Sequence, residues 1–389
     1  MRTFERTHPW IRFAADLRNA PTRLWLLLGE CHSKCEHIAG VPLRPSIADL
    51  LHRVYLAKGV HATTAIEGNT LSEEQVLEQV DGQLSLPLSQ QYMKQEVANI
   101  IAACNKITEH IKAGQPLTLD TKRVKQLNKL VLRDLTLDKD VVAGEIRKTQ
   151  VGVQRYRGAP PEDCAFLLDR LCEWLNGDEF RAPPQMEIVY AIVKAVVAHL
   201  YLAWIHPFGD GNGRTARLVE FQILLDSGVP TPAAHLLSNH YNQTRTEYYR
   251  QLEEASRSGG DVVPFMSYAV EGFRDGLRSQ LERIRAQQWT IAWENYVHDA
   301  FRDKANPSDV RRQQLVLDLS EQLEPVEASK LATVSPRVAA AYAKKTRKTL
   351  SRDLNALLHM GLIEKDQQGR FRAKREQILA FLPSRARSS

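Results

Sequence analysis

The chain is short of cysteine: five in 389 residues, an odd and scattered set, which excludes the disulfide framework of a small secreted domain. Its first residues, Met1 to Arg12, carry charge but neither an apolar stretch nor a small-residue cleavage site, so no secretory leader is expected. Nor does any apolar run promise the roughly 18–20 residues that cross a bilayer. Together these shortages lead to the expectation of a cytoplasmic protein. Strand-like alternation is scarce too, and three- and four-residue apolar spacing dominates, so the fold is expected to be mainly α. What is present suits a packed protein: 43% hydrophobic and 25% charged residues are ordinary globular values, and the length calls for two or three domains. Charge is uneven. Pro336 to Ser389 holds thirteen Lys/Arg against four Asp/Glu, a balance of +9, and the rest of the chain is at −3.

The densest chemistry lies in twelve residues, His206-Pro207-Phe208-Gly209-Asp210-Gly211-Asn212-Gly213-Arg214-Thr215-Ala216-Arg217. An apolar helical run leads in from Ile188 to Ile205 and another leads out from Leu218 to Leu225, so the segment reads as a loop closing onto a helix N-terminus. Glycines let backbone come close to a ligand, and the first N–H groups of a helix point outward with partial positive charge, a geometry that binds phosphate. Arg214 and Arg217, three apart, share one helix face and can reach further phosphate oxygens. Asp210 is a hard oxygen ligand suited to Mg²⁺ beside a polyphosphate. His206, ending the leading helix, is placed to take a proton from a hydroxyl. Phe208 is expected to anchor the loop in the core.

At every specified position the stretch matches H-x-F-x-[D/E]-G-N-G-R-x-x-R, and the chain thereby resembles the Fic family. Most Fic proteins transfer AMP from ATP to a protein hydroxyl; some move UMP, phosphocholine or phosphate. The resemblance implies an all-helical Fic fold with a small β-hairpin flap. It gives His206 the role of base and Asp210 that of Mg²⁺ ligand, and it places ATP over Gly211, Asn212, Gly213, Arg214 and Arg217.

Upstream, Ile47, Leu50, Leu51, Val54 and Tyr55 mark a helix that runs on to Thr63-Thr64-Ala65-Ile66-Glu67 and stops at Gly68-Asn69. A carboxylate in a last helical turn is unfavourable unless a cation faces it. Thr63 to Gly68 resembles the Fic inhibitory motif, [S/T]-x-x-x-E-[G/N], in which the glutamate pairs with the second arginine of the signature. Here that implies Glu67 on Arg217, in the class whose inhibitory helix precedes the signature. Gly144 to Val153 is one of few strand-like stretches, with Arg157-Gly158 as its turn, and a short hairpin is expected. By resemblance it is the Fic flap, which aligns a target as an added strand, with Val153, Gln154, Arg155 and Tyr156 at the nucleotide. The pair Tyr248-Tyr249 on an amphipathic helix reads as half core and half surface, and the same resemblance implies Tyr248 in the base pocket. An asparagine common downstream in relatives falls by eye on Ser256.

Elsewhere, Cys31 and Cys35 lie one helical turn apart near His32 and His37, read as buried helix cysteines rather than a metal site. His199, on the long apolar helix, is read as a core or supporting histidine. Toward the C-terminus, Gln287 to Lys304 reads as a linking helix. Helices follow at Val310 to Leu323, Val326 to Leu331 and Lys344 to His359, then strand, turn and strand from Gly361 to Arg372. Three helices and a β-wing resemble a winged helix-turn-helix. Lys344, Lys345, Arg347, Lys348 and Arg352 on its third helix, with Arg370 and Arg372 on the wing, suit nucleic acid, or else a solvated protein-interaction or dimerisation surface. The division expected is 1–110 helical and inhibitory, 111–285 catalytic, 286–305 linker and 306–389 winged helix.

The expectation is thus an adenylyltransferase acting on Tyr, Ser or Thr hydroxyls of a partner protein or of itself, restrained by Glu67 and able to remove AMP as well. The rivals are a Fic transferase with another nucleotide donor and an ATP-sensing, DNA-bound regulator. A homodimer and a DNA partner both fit the reading.

Overall fold

The computed structural model describes residues 1–115, 117–153, 156–304 and 306–378. Its contacts divide the chain into two units, Met1–Leu281 and Glu282–Ser389. The N-terminal part of the first unit comprises α1 (Thr3–Thr7), α2 (Thr22–Ala39), α3 (Pro45–Ala65), α4 (Glu73–Val80), α5 (Gln91–Lys112) and α6 (Thr121–Val131). Two short strands, β1 (Gly152–Val153) and β2 (Tyr156–Arg157), follow. After them come α7 (Pro161–Leu175), α8 (Glu187–Ile205), α9 (Asn212–Asp226), α10 (Leu236–Gln243), α11 (Arg245–Arg257) and α12 (Val263–Ala300).

Two helices form the centre of this unit. α8 is mostly apolar, from Ile188 through Val196, Leu200 and Trp204, and most of its residues are buried, as a helix with so little polar face requires. Its 19 residues are long and apolar enough to span a bilayer, which overturns the expectation that no run would reach that length; 78% of the apolar window is buried inside the protein. Beside it packs α9, equally enclosed but loaded with Arg214, Arg217, Glu220 and Gln222. Such groups stay inside only when paired, so this helix marks where the chemistry sits. α3, α5 and α6 also pack on α9, bringing the N-terminal segment over its first turns. Cys31 and Cys35 are fully buried on α2, and burial pushes the Cys35 thiol up to about 12.

The strand expectation needs correction. Gly144 to Val151 is not a strand, apart from an isolated antiparallel bridge between Ile146 and Phe208. The hairpin pairs Gly152 with Arg157 and Val153 with Tyr156, so Arg157, expected in the turn, is a strand residue. Gln154 and Arg155 lie outside the described residues.

The division at Leu281 falls within α12, a single helix of 38 residues that takes in most of the linking helix expected from Gln287. In the second unit come α13 (Pro307–Leu319), β3 (Val326–Glu327), α14 (Pro336–Tyr342), α15 (Arg347–His359), β4 (Ile363–Lys365) and β5 (Arg370–Ala373), with the strands in antiparallel order β3-β5-β4. The helix expected at Val326 to Leu331 is instead β3, whose Val326 pairs with Phe371. The second helix begins later, with the Ser335 hydroxyl accepting from the Val338 N–H at 3.1 Å and Pro336 in the first turn. Leu315, Leu331, Val338, Leu357 and Ile363 fill its core beneath Trp293.

Candidate active site

Pro207 bars the residue before it from right-handed helical geometry, and α8 ends on His206 at φ 49°, a left-handed conformation unusual for any residue but glycine. Its N–H donates to the Leu202 carbonyl at 2.9 Å and its carbonyl accepts from Arg147 Nε at 2.7 Å. Arg147 is itself buried, and its other nitrogens donate to the Thr149 and Ala159 carbonyls. Burial, together with the Arg147 guanidinium, pulls the His206 ring down to about 4; the Ala203 carbonyl, Glu67 and Asp210 oppose this only in part. The ring is therefore a neutral acceptor at ordinary pH.

From His206 the loop turns into α9 through Gly211, whose φ of 75° only glycine adopts without strain. The Asn212 side chain closes the loop: its Oδ1 accepts from the Phe208 N–H at 2.9 Å and its Nδ2 donates to the Phe208 carbonyl at 2.8 Å. Both of its polar atoms are thereby occupied. Asn128, fully buried on α6, ties the other side. It donates to the Asp210 carbonyl at 2.9 Å and to Thr215 Oγ1 at 3.2 Å, and accepts from the Gly144 N–H at 2.9 Å. Asp210 Oδ1 accepts from the Gly211 N–H at 2.5 Å and from Arg214 Nη2 at 3.0 Å. Among the described residues its Oδ2 has no partner, and the side chain is 49% exposed.

Both arginines of α9 meet carboxylates from the N-terminal helices. Arg217 Nη2 donates to Glu67 Oε1 at 2.5 Å and to the Thr63 carbonyl at 3.0 Å. Its Nε and Nη1 are buried without a hydrogen-bond partner among the described residues. Burial raises the Glu67 carboxyl, but Arg217, with Arg214 and His206, outweighs it and holds the group ionised. That carboxylate stands over the first turn of α9, because a Cβ at Gly213 would come 2.2 Å from Glu67 Oε1. An anion of the protein thus occupies the place where a helix N-terminus favours an anion. Arg214 Nη1 donates to Glu96 Oε1 on α5 at 2.7 Å, and the other Glu96 oxygen accepts from Asn69 Nδ2 at 2.9 Å. Asn69 also donates to the Met93 carbonyl at 3.0 Å, so the end of the Glu67 segment is tied to α5.

A cavity of about 210 Å³ lies beside this pair, lined among others by Glu67, Gly152, His199, His206, Gly213 and Tyr248. It is below the several hundred Å³ usual for a ligand site, with Glu67 on its wall. Tyr248 and Tyr249 both face it. The Tyr248 hydroxyl is 2.8 Å from His199 Nε2, and its ring stacks on Tyr241 with centroids 4.8 Å apart. His199 Nδ1 is 3.1 Å from Glu220 Oε2, and the Tyr241 hydroxyl donates to Glu220 Oε1 at 2.9 Å. His199 thus supports Tyr248 from behind. Ser256 is not on the cavity: its hydroxyl donates to the Glu253 carbonyl at 2.7 Å.

The structure therefore gathers His206, Asp210, Gly211 to Arg214, Arg217, Glu67 and Tyr248 in one place. Of the hairpin, Gly152 reaches the cavity, and the side chains of Val153 and Tyr156 are not described. Sequence reasoning missed Asn128 and Glu96, polar positions in amphipathic helices that carry no local signal, and gave Arg147 no role.

Residues 118–224 match the model of the Fic/DOC family. The chain is 32% identical over 212 residues to the protein adenylyltransferase fic-1 of Caenorhabditis elegans, a stretch covering 54% of this chain and 38% of the relative. To the protein adenylyltransferase Fic of Drosophila grimshawi it is 29% identical over 214 residues, covering 54% and 40%. The chain thus spans well under half the length of these curated relatives. Among solved structures, a fragment of Fic-1 from C. elegans aligns with a TM-score of 0.57 at 25% identity, over 68% of this chain and 74% of that one. A Fic family protein from Desulfovibrio desulfuricans aligns with a TM-score of 0.55 at 21% identity, over 90% and 95%, a likeness of fold.

Proposed function

We propose that this chain, whose residues 118–224 match the Fic/DOC family model, transfers AMP from ATP to a hydroxyl of a protein and that Glu67 restrains the transfer. The observation that carries the reading is the Glu67 carboxylate over Gly213, paired with Arg217, with His206 on the wall of the same cavity. A site built to hold an anion, and held by one of its own, is a phosphate site with a plug.

With Glu67 withdrawn, the N–H groups of the first turn of α9 and the unpartnered Nε and Nη1 of Arg217 are free to meet phosphate oxygens. Asn212 contributes by keeping the loop closed, since its side chain is spent on Phe208. Tyr248, held by His199, offers a ring to the base. His206 accepts the proton of the target hydroxyl as its oxygen bonds to the α-phosphorus; the bond from that phosphorus to the bridging oxygen breaks, and pyrophosphate leaves. Polyphosphate beside the ring favours the protonated form and raises its pKa, which strengthens the base when substrate is bound.

Asp210 fits a divalent cation. Its Oδ2 has no partner among the described residues, and no cluster of three His, Cys, Asp or Glu side chains exists among them to hold a metal without substrate. One carboxylate, with phosphate oxygens and water, is the way Mg²⁺ binds beside a nucleotide, where it neutralises phosphate charge. All five cysteines are buried and unpaired, which fits the cytoplasm, where we place the protein.

Labelled ATP tests the reaction. With the Glu67→Gly protein, label at the α-phosphate is expected to stay on protein and label at the γ-phosphate to leave in pyrophosphate. Retention of the γ label would make the reaction phosphoryl transfer instead.

A further inference from the structure

We propose that the second unit binds duplex DNA through the outer face of α15, and that the wing arginines take no part. The inference is independent of the transferase reading. It rests on what each charge in this unit is doing.

Lys344, Lys345, Arg347, Lys348 and Arg352 are all exposed, and none has an ion-pair or side-chain hydrogen-bond partner among the described residues. The one acidic residue of α15, Asp353, is turned inward. Its Oδ2 accepts from Arg311 Nε at 2.8 Å and from the Tyr342 hydroxyl at 2.9 Å, and its Oδ1 accepts from Arg312 Nε at 2.7 Å. The outer face is left with positive charge alone. The wing is the reverse. Arg370 pairs with Asp366 at 2.8 Å, and Arg372 pairs with Glu364 at 2.5 Å and Glu376 at 2.9 Å. Its arginines are already neutralised.

Position sharpens the argument. Four of the five free cations stand at the N-terminal end of α15, where the helix dipole disfavours positive charge. The placement opposes helix stability, so folding does not account for it. A phosphate lying there meets both the side chains and the helix end. Neither does the face suit a protein partner. Interface centres are enriched in aromatic residues and Met and depleted in Lys, and no large exposed apolar side chain lies on α15. α14 and α15 join across residues 343–346, and thirteen residues give α15 a length of about 20 Å. A helix of this size enters the major groove of B-DNA, whereas the deep, narrow groove of duplex RNA does not admit it.

The experiment is fluorescence anisotropy of the full chain with a random-sequence 30-base-pair DNA duplex, titrated across salt concentrations. Wild type is expected to bind with an affinity that falls steeply as salt rises. Lys345→Gln/Arg347→Gln/Lys348→Gln is expected to weaken binding at least ~10-fold and to flatten the slope of log K on log salt by about 2–3, near 0.9 for each lost phosphate contact. Arg347→Gln alone should flatten it by about 1. Arg370→Gln/Arg372→Gln should bind within about twofold of wild type. Because Lys345, Arg347 and Lys348 have no ion pair or side-chain hydrogen bond among the described residues, an unchanged melting temperature separates lost contact from lost fold. Wild type without salt-dependent binding, a triple variant that binds like wild type, a wing variant as weak as the triple, or displacement of the duplex by poly-glutamate at equal charge would each overturn the proposal.

Discussion

His206 combines a strained backbone with a depressed pKa. The left-handed φ of 49° is held by bonds to Leu202 and Arg147, and burial with the Arg147 guanidinium keeps the ring neutral. His206→Ala is expected to abolish AMP transfer, a loss of ~10²-fold or more for a general base, while ATP still binds; transfer at the wild-type rate would remove His206 from that role. The pH dependence has a defined sign. In the Glu67→Gly protein one contribution that raises the pKa is gone, so the acid limb of kcat/KM should fall below the ordinary histidine value of 6.5. Bound polyphosphate favours the protonated ring, so the acid limb of kcat should lie at higher pH than that of kcat/KM. Coincident limbs at or above 6.5 would contradict the assignment. These residues were legible in the sequence because the signature packs them into twelve positions. Asn212 is the exception in role: its type was readable, but its use as a loop clasp depends on Phe208 returning within 3 Å.

Among the elements, α6 and α5 each supply a side chain that shapes the site. Asn128 makes three hydrogen bonds with no exposure to water. Asn128→Ala should cost roughly 2–4 kcal/mol of stability by orphaning buried groups, read by denaturant unfolding; a change below about 0.5 kcal/mol, the surface-substitution range, would contradict this. Asn69 ties the end of the Glu67 segment to Met93 and Glu96. Asn69→Ala is expected to raise basal AMP transfer to part of the level reached by removing Glu67, and no rise would remove the tie from the restraint. Neither contact was legible. Asn69, Glu96 and Asn128 meet partners up to 118 positions away, and periodicity describes only the helix that carries a residue. The hairpin was misjudged for a related reason: two-residue strands leave almost no alternation to read. α3 was readable because its apolar spacing is local, but it ends at Ala65, so Glu67, expected in its last turn, lies in the turn that leads to Gly68.

At the scale of the whole molecule, charge separates along the chain. The C-terminal 54 residues carry +9 and the remainder −3, and the four acidic groups of that segment, Asp353, Glu364, Asp366 and Glu376, are all paired. Asp353 is the costliest of these. Asp353→Ala leaves Arg311 buried without its partner and should lower the stability of this unit by roughly 3–5 kcal/mol, seen as an earlier unfolding transition. The unit division was only partly legible, because the linker expected over 286–305 is for the most part the end of α12 and no break in periodicity marks Leu281. The central claim joins the turn after α3 to α9, 150 residues apart, in one ion pair, Glu67 on Arg217. Its most direct test is the initial rate of AMP transfer from Mg²⁺·ATP, compared between wild type and Glu67→Gly and read by intact mass of the modified protein. A charge-assisted hydrogen bond of about 1.5–3 kcal/mol predicts a rise of roughly 10- to 100-fold, with one adenylyl mass added per modified site. Equal rates would contradict a restraint exerted by Glu67.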